Sequence, residues 1–403
     1  KKSRFSKKSK HYNTRSSSSK HTINNKNKLS KNQQKRKIDY PKVNVYFLGG
    51  LNEIGKNITL FECEKDMVLL DCGMAFPSVD MPGIDLVIPD FSFVLKNKDK
   101  IRGLVLTHGH EDHIGAIPYL LRDFNVPIYG TALTIGLLSS KLKEHGLLRN
   151  ADLNIVKPGE KIKLGNIVVE PIHVNHSIPD AIGVALHTPA GVLVHTGDFK
   201  IDCTPSKGSM IDLGKFAELG RKGVLALFAD STNAERAGYT QTEKTISDSF
   251  DRLFQQGEQS RIIIASFASN VSRVQQIVNC AKKYKRKIAF SGRSMLNYMQ
   301  ISKELGYLDI PDGTLIDISN LNDYPKEKIV LITTGSQGEP MSALARMASS
   351  EHKKVEVGVG DMIIISANPI PGNEKFVTKV VNELLKSHAE VVYEAMYDVH
   401  VSG

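Results

Sequence analysis

Three histidines and one aspartate lie within six consecutive positions of this 403-residue chain, in the segment THGHEDH (107–113). His108 and His110 are two residues apart after an apolar run, so in extended backbone their side chains point to the same side and can bind one metal ion. Asp112 and His113 are adjacent at the start of a predicted helix and point in different directions, so they could serve a second ion. Imidazole and carboxylate groups without thiolates suit zinc or manganese in a hydrolytic site with open coordination positions.

Two residues further along the chain complete the candidate ligand set. His176 in VNHSIPDA and Asp198 in HTGDF each follow an apolar run that predicts a strand. The two oxygens of Asp198 would let it bridge two ions. Taken alone, His176 also fits a turn histidine, and Asp198 fits the cap of a turn or helix. His173, His187 and His195 lie within predicted strands, which favours packing or support of the ligands.

The elements that must position these residues change character along the chain. Short apolar runs bounded by Gly, Asn and Asp predict mainly strands from about residue 43 to 230, with helices at 113–124 and 131–145. After residue 240, strands and helices alternate strictly, which predicts a parallel, doubly wound sheet and a domain boundary near 240. Thr240 and Glu243 form the S/T-x-x-E pattern of a capping box at the start of the first helix there.

Composition limits the class of protein. The chain holds 53 Lys and Arg residues and has a net charge of +10, but 14 of these bases lie in residues 1–40, where Asp39 is the only acid. This segment predicts a disordered tail, either a solvated leader or an arm that contacts a polyanion such as RNA. No apolar run suits a membrane span or a secretory signal. Scattered cysteines without a C-x-x-C pair argue against a disulfide framework and fit a reducing cytosol: Cys63, Cys72, Cys203 and Cys280.

The order H-x-H-x-D-H, then a lone histidine, then a later aspartate resembles the metallo-β-lactamase superfamily. The resemblance implies an αββα sandwich that binds two metals. One metal would be held by His108, His110 and His176, the other by Asp112 and His113, with Asp198 between them. The diiron oxygen-reducing branch has a carboxylate where His110 stands, so His110 favours hydrolysis over redox chemistry. Glu111 occupies a variable position of the motif and is given no role.

Longer phrases narrow the resemblance to the ribonuclease J family of β-CASP nucleases. The similar phrases run from about residue 43 to the last residue and include GGLNEIGKN, NHSIPDAIGVAL, HTGDFKID, ADSTNAERAG, TGSQGEP and the terminal HVSG. The implied fold is α/β, an incomplete metallo-β-lactamase sandwich followed by a β-CASP doubly wound parallel domain. The expected ranges are a disordered basic tail at 1–40, the metallo-β-lactamase domain at 41–240 and the β-CASP domain at 241–403.

The resemblance also implies a catalytic role for Asp230, which matches an acidic residue that partners a histidine in protonating the leaving oxygen. A simpler interpretation makes Asp230 the cap of the following turn. The partner histidine would end the motif H-V-S-G-H, whereas this chain stops at Gly403. We therefore expect a fragment without the closing sandwich strands and the C-terminal domain, with an under-ligated second metal and weak or absent activity. Equal RNA cleavage by this chain and by a longer one, both loaded with zinc, would refute that expectation.

Two segments are candidates for substrate contact. Phe267, Ala268 and Ser269 follow a predicted strand and precede a helix, so their amides can face an anion. The resemblance assigns RNA contacts to these three residues and to His400, Val401, Ser402 and Gly403. Phe267 could stack on a base or pack into the core. The Gly-rich turn at 334–338 is either a phosphate cradle or merely a turn.

The sequence therefore predicts a zinc-dependent ribonuclease with two Zn²⁺ per subunit, manganese being an alternative. The family resemblance implies endonuclease and 5′-to-3′ exonuclease action on RNA, in RNA turnover and ribosomal RNA maturation in the bacterial cytoplasm. It also implies a homodimer or homotetramer, contact with other RNA-degradation proteins and no membrane. The alternatives are a β-CASP nuclease acting on DNA, a small-molecule metallo-hydrolase such as a thioesterase or lactonase, and a non-catalytic RNA-binding subunit.

Overall fold

Two mixed sheets form the first half of the fold. The computed structural model describes residues 41–77, 81–205, 208–370, 372–394 and 396–401. The first sheet has the strand order β1-β2-β3-β4-β5-β6, with β3 to β6 parallel. Its strands are β1 (Val43–Gly49), β2 (Ile58–Cys63), β3 (Asp66–Leu70), β4 (Ile101–Val105), β5 (Ile128–Gly130) and β6 (Leu153–Ile155). The second sheet has the order β11-β10-β9-β8-β7 and is antiparallel except between β10 and β11. Its strands are β7 (Ile162–Leu164), β8 (Ile167–His173), β9 (Ile182–Thr188), β10 (Gly191–His195) and β11 (Ala226–Phe228).

The two sheets pack face to face because alternate apolar side chains of each strand point inward. The shared core includes Phe61, Val68, Leu70 and Val105 from the first sheet and Ile167, Val169, Val184 and Leu186 from the second. Helices cover both outer faces, which gives the four layers of an αββα sandwich. These helices are α1 (Ser92–Lys96), α2 (Glu111–Ile114), α3 (Ile117–Leu120), α4 (Ala132–Glu144) and α5 (Leu213–Lys222).

The second half is built on a parallel sheet of order β13-β14-β12-β15-β16. Its central strands are buried on both faces, as expected for a sheet with helices on either side. The strands are β12 (Arg261–Ala265), β13 (Lys287–Ser291), β14 (Ile329–Thr333), β15 (Asp361–Ile365) and β16 (Glu390–Val392), and the helices are α6 (Lys244–Gln256), α7 (Val271–Lys283), α8 (Arg293–Glu304), α9 (Ala343–Ala348) and α10 (Glu374–Lys386). The predicted strict alternation is therefore confirmed.

The predicted helix at 113–124 is wrong as a continuous helix, because it is split into α2 and α3. The carbonyls of α2 are taken by other segments: that of Asp112 accepts the amide of Asn57 at 3.0 Å, and that of His113 accepts the amide of Cys72 at 2.8 Å. The amide of Ala116 in turn donates to the carbonyl of Cys72 at 3.0 Å. These bonds hold α2, which carries Asp112 and His113, against the segments that follow β3 and precede β2.

The predicted capping box is also wrong. Helix α6 begins at Lys244, and the side chain of Glu243 makes no capping hydrogen bond. Its carboxylate is buried and pairs with Lys200 at 2.8 Å and Arg273 at 3.1 Å instead. Two cationic side chains that are distant in sequence therefore pair with the carboxylate that the local spacing predicted would cap the helix.

Residues 41–403 form one compact unit, within which the boundary near 240 stays a prediction. The predicted tail, residues 1–40, lies outside the described residues. Within the part of the chain that is described, no helix combines the length and apolarity that crossing a membrane would require.

Candidate metal centre

The ligand motif lies where β4 ends and α2 begins. β4 is a buried strand that ends at Val105, and α2 starts at Glu111 after His110 in extended backbone. His108 and His113 are fully buried, with 1% and 2% of their surface exposed. The connection after β4 and the first turn of α2 therefore direct His108 and His113 toward the protein interior, which is unusual for polar side chains and indicates a site.

The first candidate ligand group consists of His108, His110 and His176. Nδ1 of His110 lies 3.0 Å from Nε2 of His108 and 3.2 Å from Nε2 of His176. Metal–nitrogen bonds of 2.0–2.1 Å in a tetrahedron would separate ligand atoms by about 3.3 Å. Oδ2 of Asp198 lies 4.0 Å from Nε2 of His108 and 3.8 Å from Nε2 of His176, beside the same space. The three histidine nitrogens therefore have the spacing of ligands around one cation, and the Asp198 oxygen lies beside them.

The second group forms on the other side of Asp198. Nε2 of His113 lies 3.4 Å from Oδ1 of Asp198 and 3.5 Å from Oδ2 of Asp112. Two sets of side chains could hold a metal ion: His108, His110 and His176 form one, and His108, His113 and Asp198 form the other. His108 therefore belongs to both sets, whereas the predicted ligand Asp112 contacts His113 but belongs to neither set. Asp198 presents one oxygen to His113 and the other to His108 and His176, and its role as a bridge between two metals stays a prediction.

Burial determines the protonation of the first group. It lowers the pKa of His108 and His110, and it lowers the pKa of His176 to about 3. His113 differs: burial acts against its charge, but Asp198, Asp112 and Asp71 together raise its pKa well above the ordinary value. The first group therefore offers neutral imidazole lone pairs, which is the form that binds a metal.

Two buried ring nitrogens of the first ligand group have no partner among the described residues. They are Nε2 of His110 and Nδ1 of His176, on the far sides of the rings from the space between the ligand atoms. A neutral imidazole carries one proton, and the nitrogens that face the shared space are only 3.0–3.2 Å apart. Protons on the outward nitrogens would leave three lone pairs converging on one point, so the residues present fit a bound cation.

Asp71 supports the centre and was not found from the sequence. Its Oδ2 accepts hydrogen bonds from Nδ1 of His113 and Oγ1 of Thr107, and its Oδ1 accepts from the amide of Thr107, all at 2.8 Å. The contact keeps a proton on Nδ1 of His113, so a metal would displace the second proton and bind at Nε2, as second-sphere carboxylates arrange for zinc-binding histidines. The available signal was an acid directly after the apolar strand MVLL, which is weak by itself.

Asn57 was also missed. Its Nδ2 lies 3.3 Å from Oδ2 of Asp112 and 3.1 Å from Nε2 of His113, so it contacts both residues of the second group. It comes from the segment before β2, 55 positions before Asp112, and no local spacing connects the two. Only the fold brings this amide to the site.

Asp230 lies after β11 and caps a turn. Its Oδ1 accepts from the amide of Thr232 at 2.8 Å and from the Thr232 hydroxyl at 2.7 Å, while its own amide donates to Oγ1 of Thr196 at 3.1 Å. The simpler interpretation of Asp230 therefore describes its contacts, and its catalytic role stays a prediction. Nearby, His195 stacks on Phe228 with 20° between the rings, in keeping with a packing role.

The two predicted RNA-contact segments lie together. Phe267, Ala268 and Ser269 are half-buried between β12 and α7, and the Phe267 ring lies 6.4 Å from the ring of His400. The Nδ1 atom of His400 is buried and has no partner among the described residues. Val401 is buried, whereas Ser402 and Gly403 lie outside the described residues.

The Gly-rich turn at 334–338 is held by its own neighbours. Gln337 is buried, its Nε2 donates to the carbonyl of Asn368 at 2.8 Å, and its Oε1 accepts the amide of Ile370 at 2.7 Å. The Gln337 side chain therefore connects this turn to the loop after β15 by two hydrogen bonds.

An αββα sandwich with histidine and aspartate groups at its strand ends is the arrangement of the metallo-β-lactamase superfamily, whose family model matches residues 51–212. The model for the ribonuclease J β-CASP domain matches residues 259–384. The chain is 46% identical over 362 residues to a ribonuclease J of Helicobacter pylori, covering 90% of this chain and 52% of that protein. It is 45% identical to ribonuclease J of Thermus thermophilus (90% and 64% covered) and 42% identical to ribonuclease J2 of Bacillus subtilis (91% and 66%). The chain belongs to the ribonuclease J family, with a metallo-β-lactamase domain and a β-CASP domain.

The chain thus spans between about half and two thirds of the length of these relatives. A crystal structure of a protein of unknown function from Enterococcus faecalis is also similar, with a TM-score of 0.61 and 15% identity. That similarity covers 90% of this chain and 88% of the other, and it supports the fold alone.

Proposed function

We propose that this chain hydrolyses phosphodiester bonds of RNA at a centre of two divalent cations. The first cation would be held by His108, His110 and His176, the second by Asp112 and His113, with Asp198 shared between them. The observation that carries the proposal is the orientation of Asp198, whose two oxygens face different groups of nitrogen ligands. The names of its relatives, ribonuclease J and J2, support RNA as the substrate.

Zinc is the proposed metal, because three imidazoles and a carboxylate form a typical zinc ligand set, and manganese is the alternative. Two such cations would lower the pKa of a water molecule between them and stabilise charge on the phosphate oxygens. The chain itself contributes rigid ligands. Asp71 holds His113 by Nδ1, and the buried position of His108 excludes water from one side of the centre.

The RNA backbone would be bound by the segments at 267–269 and 400–403. The amides of Phe267, Ala268 and Ser269 precede the 13-residue helix α7, whose N-terminus favours an anion. No described residue accepts a hydrogen bond from these three amides, so they are available to phosphate oxygens. The half-buried Phe267 ring could stack on a base beside His400. Asp230 would move a proton at the leaving oxygen.

We extend the proposal to the wider role that the family resemblance implies. The chain would cleave RNA internally and from a 5′-monophosphate end in the 5′-to-3′ direction. Its role would be RNA turnover and ribosomal RNA maturation in the bacterial cytoplasm, as a homo-oligomer beside other RNA-degradation proteins.

The test combines metal analysis with digestion of end-labelled RNA. We expect bound zinc or manganese and weak cleavage of RNA, as the sequence predicts for this chain. RNA carrying a 5′-monophosphate should be preferred to RNA carrying a 5′-triphosphate and to DNA of matched sequence. A His108→Ala, His110→Ala variant should lose both metal and cleavage. The control is His187→Ala, because His187 pairs with Glu170 at 2.7 Å and belongs to neither ligand group. Normal cleavage by the double variant would end the proposed mechanism.

A further inference from the structure

A tyrosine from the β-CASP half contacts the ligand loop. Tyr298 belongs to helix α8, and its hydroxyl donates to the carbonyl of Gly109 at 3.1 Å, across 189 positions of sequence. Gly109 is the residue between His108 and His110. The tyrosine is 8% exposed, so the hydrogen bond is shielded from water. This is a direct polar contact between α8 and the backbone that carries two candidate metal ligands.

Gly109 also packs closely against helix α4. A Cβ added to Gly109 would lie 2.6 Å from Cδ1 of Leu137, so any larger residue here would require the Leu137 side chain to shift. Gly109 is therefore in contact with both α4 and the Tyr298 hydroxyl.

Helix α8 is itself seated firmly on α4. A Cβ on Gly136 would lie 3.0 Å from Cγ2 of Ile301, which shows how closely the two helices approach. Ser140 of α4 donates to Asn297 of α8 at 2.9 Å. The position of the Tyr298 hydroxyl is thus determined by helix packing, and it does not depend on a mobile loop.

We infer that Tyr298 is a positioning residue for the first ligand group: its hydrogen bond fixes the Gly109 peptide so that the imidazoles of His108 and His110 converge. Glycine has a wide range of backbone conformations, so this peptide can rotate more easily than any other in the loop once its carbonyl is released. Such a rotation would move His110 relative to His108. Burial raises the pKa of Tyr298, with Glu111 and Asp112 adding to the effect, so the phenol keeps its proton and remains a donor.

The inference rests on the proposed metal centre, and the experiment separates the two. Tyr298→Phe removes only the hydroxyl and keeps the ring that packs between the helices. The matched control is Tyr284→Phe, because the Tyr284 hydroxyl also donates to a backbone carbonyl, that of Asp251, at 3.1 Å and away from the centre. Both variants and the parent chain are titrated with Co²⁺, whose visible absorption spectrum reports coordination geometry, and with Zn²⁺ against a competing chelator.

We expect Tyr298→Phe to bind the first metal about tenfold more weakly, the lower end of the loss seen when groups that orient ligands are removed. Its Co²⁺ spectrum should also change, whereas Tyr284→Phe should match the parent in both. Metal-free thermal unfolding should show similar small losses for both variants. A Tyr298→Phe variant that loses stability but keeps the parent affinity and spectrum would refute the positioning role, as would an equal loss of affinity in the control. A parent chain that binds neither metal would instead refute the proposed centre and this inference with it.

Discussion

Replacing Asp71 with asparagine would test whether the second ligand group depends on its supporting carboxylate. Asp71 accepts three hydrogen bonds of 2.8 Å, two from Thr107 and one from Nδ1 of His113. Asparagine has nearly the same shape but only one acceptor oxygen. If that oxygen still accepts the hydrogen bond from the amide of Thr107, the NH₂ group of asparagine faces Nδ1 of His113. Nδ1 can accept a hydrogen bond from this NH₂ group only if the imidazole proton moves to Nε2, the nitrogen that must bind the metal.

The expected magnitude follows from the lost bond. A hydrogen bond to a charged group contributes about 1.5–3 kcal/mol. Loss of a group that orients a ligand weakens metal affinity by about 10- to 100-fold, which corresponds to about 1.4–2.7 kcal/mol. The two ranges agree, so we expect Asp71→Asn to weaken the second metal by this factor and to leave the first group nearly unchanged.

The assay is a calorimetric zinc titration with metal stoichiometry measured on the same samples. The matched control is Asp66→Asn at the opposite end of β3. Asp66 is also buried and accepts from Nε of Arg102 at 2.6 Å and from the amide of Asn166 at 2.9 Å, but it is not in contact with either ligand group. Asp66→Asn should destabilise the chain and leave both metal affinities unchanged. If Asp71→Asn bound two metals as tightly as the parent, the assignment of the His113 proton would be wrong.

Three further outcomes are expected. Burial acts to raise the pKa of Glu243, but the charges of Arg273 and Lys200 outweigh it and lower this pKa below its ordinary value of 4.5. The ionised carboxylate therefore stabilises the fold above pH 4.5. This stabilisation is lost as the pH falls through the lower pKa that Glu243 has in the folded protein. Glu243→Gln should therefore lower the free energy of unfolding at pH 7 by about 3 kcal/mol, and urea unfolding between pH 7 and 3 should show a flatter acid dependence; an unchanged pH profile would contradict this. Asp230→Asn keeps the acceptor for Thr232, so stability should change by less than about 0.5 kcal/mol while RNA cleavage falls by about 100-fold; cleavage at the parent rate would leave Asp230 as a cap only. If free metal is present at 100 times its Kd, chelation should lower the free energy of unfolding by about 2.7 kcal/mol and so lower the temperature of thermal unfolding. Identical melting with and without chelator would argue against a metal site in the folded protein.

Local sequence patterns predicted much of the fold. Alternation of strands and helices after residue 240 indicated a doubly wound parallel sheet, because a strand buried on both faces must be apolar throughout. The ligand motif was visible for a similar reason: histidines and acids concentrated directly after apolar strands have few structural uses. The resemblance to known nucleases then assigned His176 to the metal of His108 and His110, which spacing alone left open.

Two local rules failed where long-range contacts were stronger. The capping pattern at Glu243 was correct as a pattern, but Lys200 and Arg273 bring two buried positive charges to that carboxylate. The helix predicted at 113–124 is divided because Asn57 and Cys72 take hydrogen bonds that a continuous helix would need. In both cases a partner distant in sequence offered a better bond than the neighbouring backbone.

The sequence by itself therefore determined which residues could bind metal, since ligand chemistry belongs to residue type and to position after a strand. Only the tertiary structure decided that Asp198 presents an oxygen to each ligand group and that Asp71, Asn57 and Tyr298 hold the motif from three other segments. The physical reason is that hydrogen bonds and ion pairs act over about 3 Å in space, while the residues that make them are 36 to 189 positions apart, and no periodicity in a sequence encodes that distance.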